Sequence, residues 1–296
     1  MKEDPYLKFL RARANKVFYR LPYSGNAGDS LIQLATERIL RDLGIRTTVD
    51  PRRAEVLLVP GGNPTMWPSI GTERWQTLWS RYPLPEFVVG PAGFRNGYAD
   101  WARIVNECGP RVSGLFARDP DSYRCLQAAG LRPSITLDLS SDPVLYLRGS
   151  DWLNAHRQAA TEEYDLAAFR DDHEAYRSRS KVVSSLLASL PSRVQRIVSG
   201  MRAGSLRARK IKLATVTNRG TGNPIVQRDV SRERFEVYVE TVRAARAVHT
   251  DRLHVMLLAA MLGKKVFAYP TSHDKLEGVY RHSLAGWADV TLVSMS

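Results

Sequence analysis

The stretch that decides the fold is residues 16–44, KVFYRLPYSGNAGDSLIQLATERILRDLG. It begins with the short apolar run of Lys16–Leu21, which predicts a β-strand, and it ends with apolar residues at helical spacing up to Gly44. The loop between them contains Gly25-Asn26-Ala27-Gly28-Asp29. We expect Asp29 or Ser30 to cap the helix, because their side chains can accept hydrogen bonds from its first backbone amides. The pattern predicts the first strand–loop–helix unit of a parallel α/β sheet.

The same alternation continues along the rest of the chain. Further strands are predicted at residues 54–59, 87–90, 115–117, 134–139, 164–169, 211–217, 246–249, 265–268 and 290–293. Helices are predicted at residues 72–79, 100–107, 119–129, 231–245 and 252–262. Short, continuously apolar strands separated by helices are typical of a parallel sheet that is covered on both faces. The 296 residues are enough for two such sheets, so we predict residues 1–149 and 150–296 as two Rossmann-like domains.

The bulk composition excludes several classes of protein. With 44% hydrophobic and 25% charged residues, the chain matches a folded globular protein. No apolar run is long enough for a signal-peptide core or a membrane span, so we expect a cytoplasmic protein. Cys108 and Cys125 are the two cysteines, and they have no companion ligands at metal spacing. The cysteines therefore predict neither a disulfide scaffold nor a zinc site.

The net charge of +13 is concentrated in one segment. Residues 175–228 contain no Asp or Glu and carry 12 of the 43 Lys and Arg residues. Within this segment, residues 181–210 place aliphatic side chains at helical spacing beside basic ones, which predicts a basic amphipathic helix inserted in the second domain. Such a helix could lie on an anionic membrane surface or pack against the second sheet, and the sequence leaves both interpretations open.

Three glycine-bearing loops follow predicted strands of the first domain: the Asn26–Asp29 loop, Gly61-Gly62, and Gly90–Gly93. Ligands of open α/β sheets bind at the carboxyl ends of the strands, so these loops predict one shared binding crevice. Glycine lets a backbone approach a ligand closely, and amides at a helix start favour an anion. Because the spacing of a dinucleotide fingerprint is missing, a purely structural turn is the alternative for the first loop.

The sequence His249-Thr250-Asp251-Arg252-Leu253-His254 joins a predicted strand to a helix that is apolar on nearly every side. Such a helix has to be buried, so Arg252 and His254 face either the core or a ligand site. An anionic ligand would suit the planar guanidinium of Arg252. A buried carboxylate partner is the structural alternative. Positions two apart on a helix point in different directions, so the two side chains converge only if this turn is irregular.

These motifs together resemble the polysaccharide pyruvyl transferase family. The resemblance rests on Asn26-Ala27-Gly28-Asp29, on Gly61-Gly62, on Arg118-Asp119-Pro120-Asp121-Ser122-Tyr123 and on Thr250-Asp251-Arg252-Leu253-His254. Further similarity lies in Phe169–Glu174 and Lys275. The sequence departs from the family pattern at Asn63, which takes the place of a third glycine, and at Val255, which replaces a small residue. The basic residues 181–210 look like additional material.

The resemblance implies a glycosyltransferase-B-like fold with a cleft between two domains. It implies phosphoenolpyruvate as the donor and a sugar of a surface polysaccharide, or of its lipid-linked precursor, as the acceptor. The product would be a pyruvate ketal. His254 is implied as the acid and Arg252 as a donor-binding residue, with no metal or other cofactor. The remaining implied substrate-binding residues are Asn26, Gly28, Asp29, Gly61, Gly62, Arg118, Arg170 and Lys275.

Two other functions compete with this interpretation. A glycosyltransferase of similar architecture would use a nucleotide sugar as its donor. A nucleic-acid-binding protein would use the basic segment, but single-strand binders stack bases on aromatic side chains and this segment has almost none. We therefore expect no nucleic-acid partner.

Overall fold

The computed structural model describes residues 4–22, 25–62, 80–82, 85–94, 105–106, 111–158, 164–170, 213, 215–216, 222–271 and 274–294. The chain divides into two compact units. The first contains residues 1–158 and 278–286, and the second contains residues 159–277 and 287–296. The predicted boundary at residue 149 thus lies before α4 (Asp151–Gln158), a helix of the first unit. The return of residues 278–286 to the first unit was not expected.

The first unit is built on a six-stranded parallel sheet in the order β2-β1-β3-β4-β5-β6. Its strands are β1 (Val17–Arg20), β2 (Arg46–Thr47), β3 (Val56–Val59), β4 (Glu86–Ala92), β5 (Val112–Ala117) and β6 (Thr136–Leu139). In this sheet β2 lies on one side of β1, and β3, the next strand along the chain, lies on the other side of β1. The strand order therefore reverses beside β1, where α/β sheets commonly bind ligands.

Helices of the first unit begin where the sequence supplies caps. Asp4 caps α1 (Pro5–Arg11), and Asp119 caps α3 (Pro120–Ala128), each followed by a proline in the first turn. The longest described helix is α2 (Ala27–Asp42). Two 3₁₀ turns, Pro51–Arg53 and Pro143–Leu147, complete the unit.

Both faces of the first sheet are buried, as the continuous apolar strands predicted. On β3, Val56 and Leu58 pack into one apolar cluster, with Phe18 and Phe116. Leu57 and Val59 pack into another, on the opposite face. Alternate side chains of a strand point to opposite faces, so every residue of this strand contributes to a core.

The second unit contains a five-stranded parallel sheet in the order β11-β10-β9-β7-β8. Its strands are β7 (Tyr164–Ala168), β8 (Ile225–Gln227), β9 (Ala245–Thr250), β10 (Lys265–Ala268) and β11 (Val290–Leu292). Its helices are α5 (Phe235–Arg243) and α6 (Leu253–Met261). Helix α7 (Lys275–Val279) begins in this unit, but from residue 278 onwards it belongs to the first unit, together with the π-helical turn Tyr280–Leu284 that continues it. A 3₁₀ turn, Val230–Arg232, precedes α5. The α/β class with two Rossmann-like sheets is confirmed.

One predicted strand of the second unit is wrong. Within residues 211–217 the structure describes Leu213, Thr215 and Val216, and all three are helical. The fifth strand is instead β8, which pairs with β7 at the edge of the sheet. The predicted helix at 72–79 and the basic helix at 181–210 lie outside the described residues. Of the predicted helix at 100–107, Val105 and Asn106 are described, and they are helical.

Candidate active site

The first glycine-bearing loop ends in a capping box at the start of α2. The side chain of Asn26 accepts hydrogen bonds from the amides of Gly28 (2.8 Å) and Asp29 (3.4 Å). In return, the Asp29 carboxylate accepts one from the Asn26 amide at 2.9 Å. The helix therefore begins earlier than expected, and its cap is Asn26 rather than Asp29 or Ser30. Both polar side chains of this motif organise the backbone at the start of α2.

The second and third glycine loops contact each other directly. Gly61 and Gly62 follow β3 with φ angles of 132° and 93°, which only glycine adopts readily. A Cβ atom on Gly61 would lie 2.5 Å from the carbonyl oxygen of Pro91. The Gly93 amide donates to the Gly62 carbonyl at 2.9 Å. These contacts confirm that the two loops share one place at the carboxyl edge of the first sheet.

Arg118 lies at the end of β5, in a buried ion pair. Its Nη1 donates to the Asp142 carboxylate at 2.9 Å, and the side chains are 4% and 0% exposed. The following residues tie neighbouring loops together, because Ser122 Oγ donates to Asp119 at 2.7 Å and accepts from the Phe94 amide at 2.9 Å. The structure therefore gives Arg118, which the resemblance implies as a substrate-binding residue, a structural role as the ion-pair partner of Asp142.

A groove of about 740 Å³ also opens in the first unit, between α2 and the outer strands β1 and β2. Its lining includes Tyr19, Arg20, Arg41 and Thr47. None of the predicted site residues belongs to this lining, so the groove and the glycine loops are separate features of the same unit.

In the second unit, the predicted residues gather at the carboxyl edge of the sheet. Thr250 ends β9, and its hydroxyl donates to the Ala168 carbonyl at the end of β7, at 2.9 Å. The buried Asp251 carboxylate accepts from the Arg170 amide at 2.8 Å. On the other side, the Tyr269 amide after β10 donates to the Thr250 carbonyl at 2.8 Å. The backbones that carry Arg170 and Arg252 are thereby joined across neighbouring strands.

Arg252 does not belong to the helix that follows it. It is the N-cap residue of α6, with extended backbone angles (φ −97°, ψ 116°), and its amide donates to Thr250 Oγ1 at 3.0 Å. His254 is the second residue of α6 and is half-buried. The turn is therefore irregular. Side chains two positions apart within a helix point in different directions, but this does not apply to Arg252 and His254, because Arg252 lies outside the helix.

The guanidinium of Arg252 has a carboxylate partner within the protein. Its Nε donates to Asp229 Oδ1 at 3.2 Å, and its Nη2 contacts Asp229 Oδ2. The structural alternative considered for this arginine is thus present. The sequence argument missed Asp229, although it is the first acidic residue after the acid-free segment. Asp229 also begins a D-x-S sequence, which is a signal for a turn cap.

The expected burial of α6 is confirmed: Val255–Met261 are 0–5% exposed. Lys275 is the first residue of α7, half-buried, and follows the carboxyl end of β10. Among the residues that the structure describes, no group of three or more His, Cys, Asp or Glu is arranged to hold a metal ion. Over the same residues, no helix is both long and apolar enough to cross a membrane.

The fold is supported by its similarity to one solved structure. An uncharacterized protein of Klebsiella pneumoniae aligns with a TM-score of 0.66 and 19% identity, covering 98% of this chain and 97% of its own. Anabaena HepE in complex with UDP and glucose gives a TM-score of 0.45 at 10% identity, over 94% and 85% of the two chains. The Methanocaldococcus jannaschii UDP-GlcNAc 2-epimerase gives 0.40 at 12% identity, over 94% and 89%. Comparison with curated proteins finds no match.

The two parallel sheets, with loops gathered at their carboxyl edges, define an α/β protein of two Rossmann-like units. The model of the polysaccharide pyruvyl transferase family matches residues 26–273, more than four-fifths of the chain. The chain belongs to this family, as the sequence motifs predicted.

Proposed function

We propose that the protein transfers the pyruvyl group of phosphoenolpyruvate to two hydroxyls of a polysaccharide sugar, forming a pyruvate ketal. Family membership supports pyruvyl transfer to a polysaccharide. The structural observation that carries the donor assignment is the edge of the second sheet, where hydrogen bonds join the backbones of Arg170 and Arg252 beside His254. Two guanidinium groups suit a donor that bears both a phosphate and a carboxylate.

The proposed chemistry gives His254 the role of general acid. Its imidazolium donates a proton to the methylene carbon of the donor, so that the central carbon becomes electrophilic. Two sugar hydroxyls form new C–O bonds to that carbon, and the C–O bond to phosphate breaks. One hydroxyl proton replaces the proton that His254 gave up, and the other leaves with the phosphate. Arg252 and Arg170, with Lys275 as a further cation, offset the negative charge of the departing group.

The first unit contributes backbone rather than side chains in this proposal. Asn26 and Asp29 hold each other in the capping box, which fixes the amides around Gly28. Gly61 and Gly62 follow β3 at the carboxyl edge of the first sheet, packed against the loop that contains Pro91 and Gly93. We propose these loops as a sugar-binding surface, because amides and carbonyls without side chains can approach sugar hydroxyls closely. Arg118 enters the proposal as a structural residue.

Contact with an anionic membrane and a cytoplasmic location remain part of the proposal. A lipid-linked acceptor would lie at the membrane surface, and the basic residues of segment 175–228 carry the charge that such a surface attracts. No metal or other cofactor is proposed.

The function is tested by incubating the purified chain with phosphoenolpyruvate labelled in its phosphate and with polysaccharide precursors. We expect release of inorganic phosphate that depends on the acceptor, together with a pyruvate ketal detected by mass spectrometry. The Arg252→Ala variant is the matched negative control. Release of nucleotide from a nucleotide sugar, with no phosphate from phosphoenolpyruvate, would instead identify a glycosyltransferase.

A further inference from the structure

Asp229 lies at the carboxyl edge of the second sheet, two residues after β8. The sheet order is β9-β7-β8, so Arg252, which follows β9, reaches past the end of β7 to meet it. The contact between Asp229 and Arg252 joins the loop after β8 to the end of β9, and β7 lies between these two strands. It crosses the same edge at which the backbones of Arg170 and Arg252 are linked.

The contact fixes the orientation of the guanidinium. Both carboxylate oxygens of Asp229 are used, one by Nε and the other by Nη2 of Arg252. Such a two-point contact holds the guanidinium plane, whereas a single hydrogen bond would let it rotate. The side chains are 9% and 12% exposed, so water screens the pair little.

Asp229 is itself held in place by the turn that follows it. Ser231 Oγ donates to Asp229 Oδ1 at 2.8 Å, and the Ser231 amide donates to the same oxygen at 3.4 Å. The carboxylate therefore has a fixed position before it meets Arg252. The turn holds the Asp229 carboxylate, and the carboxylate binds one edge of the Arg252 guanidinium. Asp229 is therefore well placed to orient Arg252.

We propose that Asp229 is a positioning residue, which holds the guanidinium of Arg252 in the orientation in which it binds an anionic group of the donor. This inference rests on the proposed function, since it assumes that Arg252 binds phosphoenolpyruvate. Asp229 itself does not touch the donor. Its effect is on affinity, because a guanidinium that is already oriented loses less freedom when the anion binds.

The test compares Asp229→Asn with Ser231→Ala. The asparagine keeps the size of the side chain and one acceptor but loses the charge and the second contact to Arg252. The Ser231→Ala variant removes a hydrogen bond to the same carboxylate and leaves the Arg252 pair in place. We expect Asp229→Asn to raise the KM for phosphoenolpyruvate by about tenfold, with kcat within about threefold of the parent. Ser231→Ala loosens the hold on Asp229 but keeps both contacts to Arg252, so it should raise the KM by about threefold or less.

A double-mutant cycle with Arg252→Lys separates positioning from a general structural role. If Asp229 acts through Arg252, the Asp229→Asn change should add almost nothing in the Arg252→Lys background. Additive losses, or an unchanged or lower KM in Asp229→Asn, would overturn the inference. A parent enzyme that neither binds nor turns over phosphoenolpyruvate would overturn the proposed function instead, so the two failures are distinguishable.

Discussion

His254 is the residue on which the proposed chemistry depends most. It lies on the first turn of α6, two residues after Arg252, which contacts Asp229. General acid catalysis by a positioned side chain contributes about 10²–10⁴-fold to a rate. We therefore expect His254→Asn to lower kcat by about 10²-fold or more, with a KM for phosphoenolpyruvate close to that of the parent.

The control for this prediction is His156→Asn, at another half-buried histidine, on α4. Circular dichroism should show that both variants are folded, and phosphate release measures their turnover. Near-normal turnover by His254→Asn would remove this residue from the mechanism.

At single positions, the sequence predicted residue types better than their partners. The apolar helix after Arg252 indicated that the arginine is either buried in the core or at a ligand site. The structure places it at the N-cap of α6. Its carboxylate partner could not be predicted, because Asp229 is 23 residues away in sequence. Contacts at that separation depend on the order of the strands, which the local pattern does not contain. Likewise, the reciprocal hydrogen bonds between Asn26 and Asp29 could be predicted only by someone who knew at which residue α2 begins.

Elements with a strong apolar pattern were predicted well. Strand β10 has the predicted bounds, 265–268, and β7 and β9 differ from the prediction by one or two residues. The short edge strands β2 and β8 were missed. β2 has two exposed residues, and β8 has two exposed residues around a half-buried one, so neither contains a continuous apolar run. Residues 211–217 have such a run, but the three of them that are described are helical, which shows that an apolar run by itself does not distinguish a strand from a helix.

An ion cluster connects the turn after α1 to the start of β4 in the first unit. Arg13 Nε donates to Glu86 at 2.9 Å, and Lys16 contacts its other oxygen. Partial burial alone would raise the pKa of Glu86, but the hydrogen bonds from Lys16 and Arg13 outweigh it and lower the pKa to about 2. The folded protein therefore favours the charged carboxylate. This stabilisation is present above pH 4.5, the ordinary pKa, and is lost as the pH falls towards 2.

We expect Glu86→Gln to lower the free energy of unfolding by about 1 kcal/mol at pH 7, a modest value because the cluster is partly exposed to solvent. The difference from the parent should shrink as the pH falls from 4.5 to 2. Urea titrations over this range measure it. Glu240→Gln is the control, since its ion pair with Arg243 joins positions three apart on the surface of α5. A difference that stayed constant with pH would contradict the assignment.

At the scale of the whole molecule, the sequence predicted two Rossmann-like units but placed their boundary before α4. The local signal, Gly149-Ser150, marks a real break in the pattern, because Ser150 accepts a hydrogen bond at the start of α4. A helix after such a break can pack with the preceding unit, and only tertiary contacts decide which unit it joins.

The charge of the whole chain suggests a test of the proposed membrane contact. Its excess of positive charge is concentrated in residues 175–228, and attraction to an anionic surface is worth about 1 kcal/mol for each Lys or Arg near it. We expect the protein to sediment with vesicles that contain anionic lipid and to be released by high salt, whereas vesicles of neutral lipid should not retain it.

Deleting residues 182–201 should weaken this retention, because it removes aliphatic residues together with basic ones. Replacing the aliphatic residues alone, with the charges kept, shows whether apolar insertion contributes. Equal retention of the parent and the deletion variant would count against membrane contact through this segment. Retention on DNA as strong as that of a known DNA-binding domain would point to nucleic acid instead.

The return of residues 278–286 to the first unit has a consequence for biosynthesis. A ribosome makes most of the first unit early, but this last piece emerges after nearly the entire second unit has been synthesised. Nascent chains that stop at residue 158 therefore lack a part of the first unit, which is completed only after residues 159–277 of the second unit have been made. A fragment meant to represent that unit should carry residues 278–286, joined through a linker.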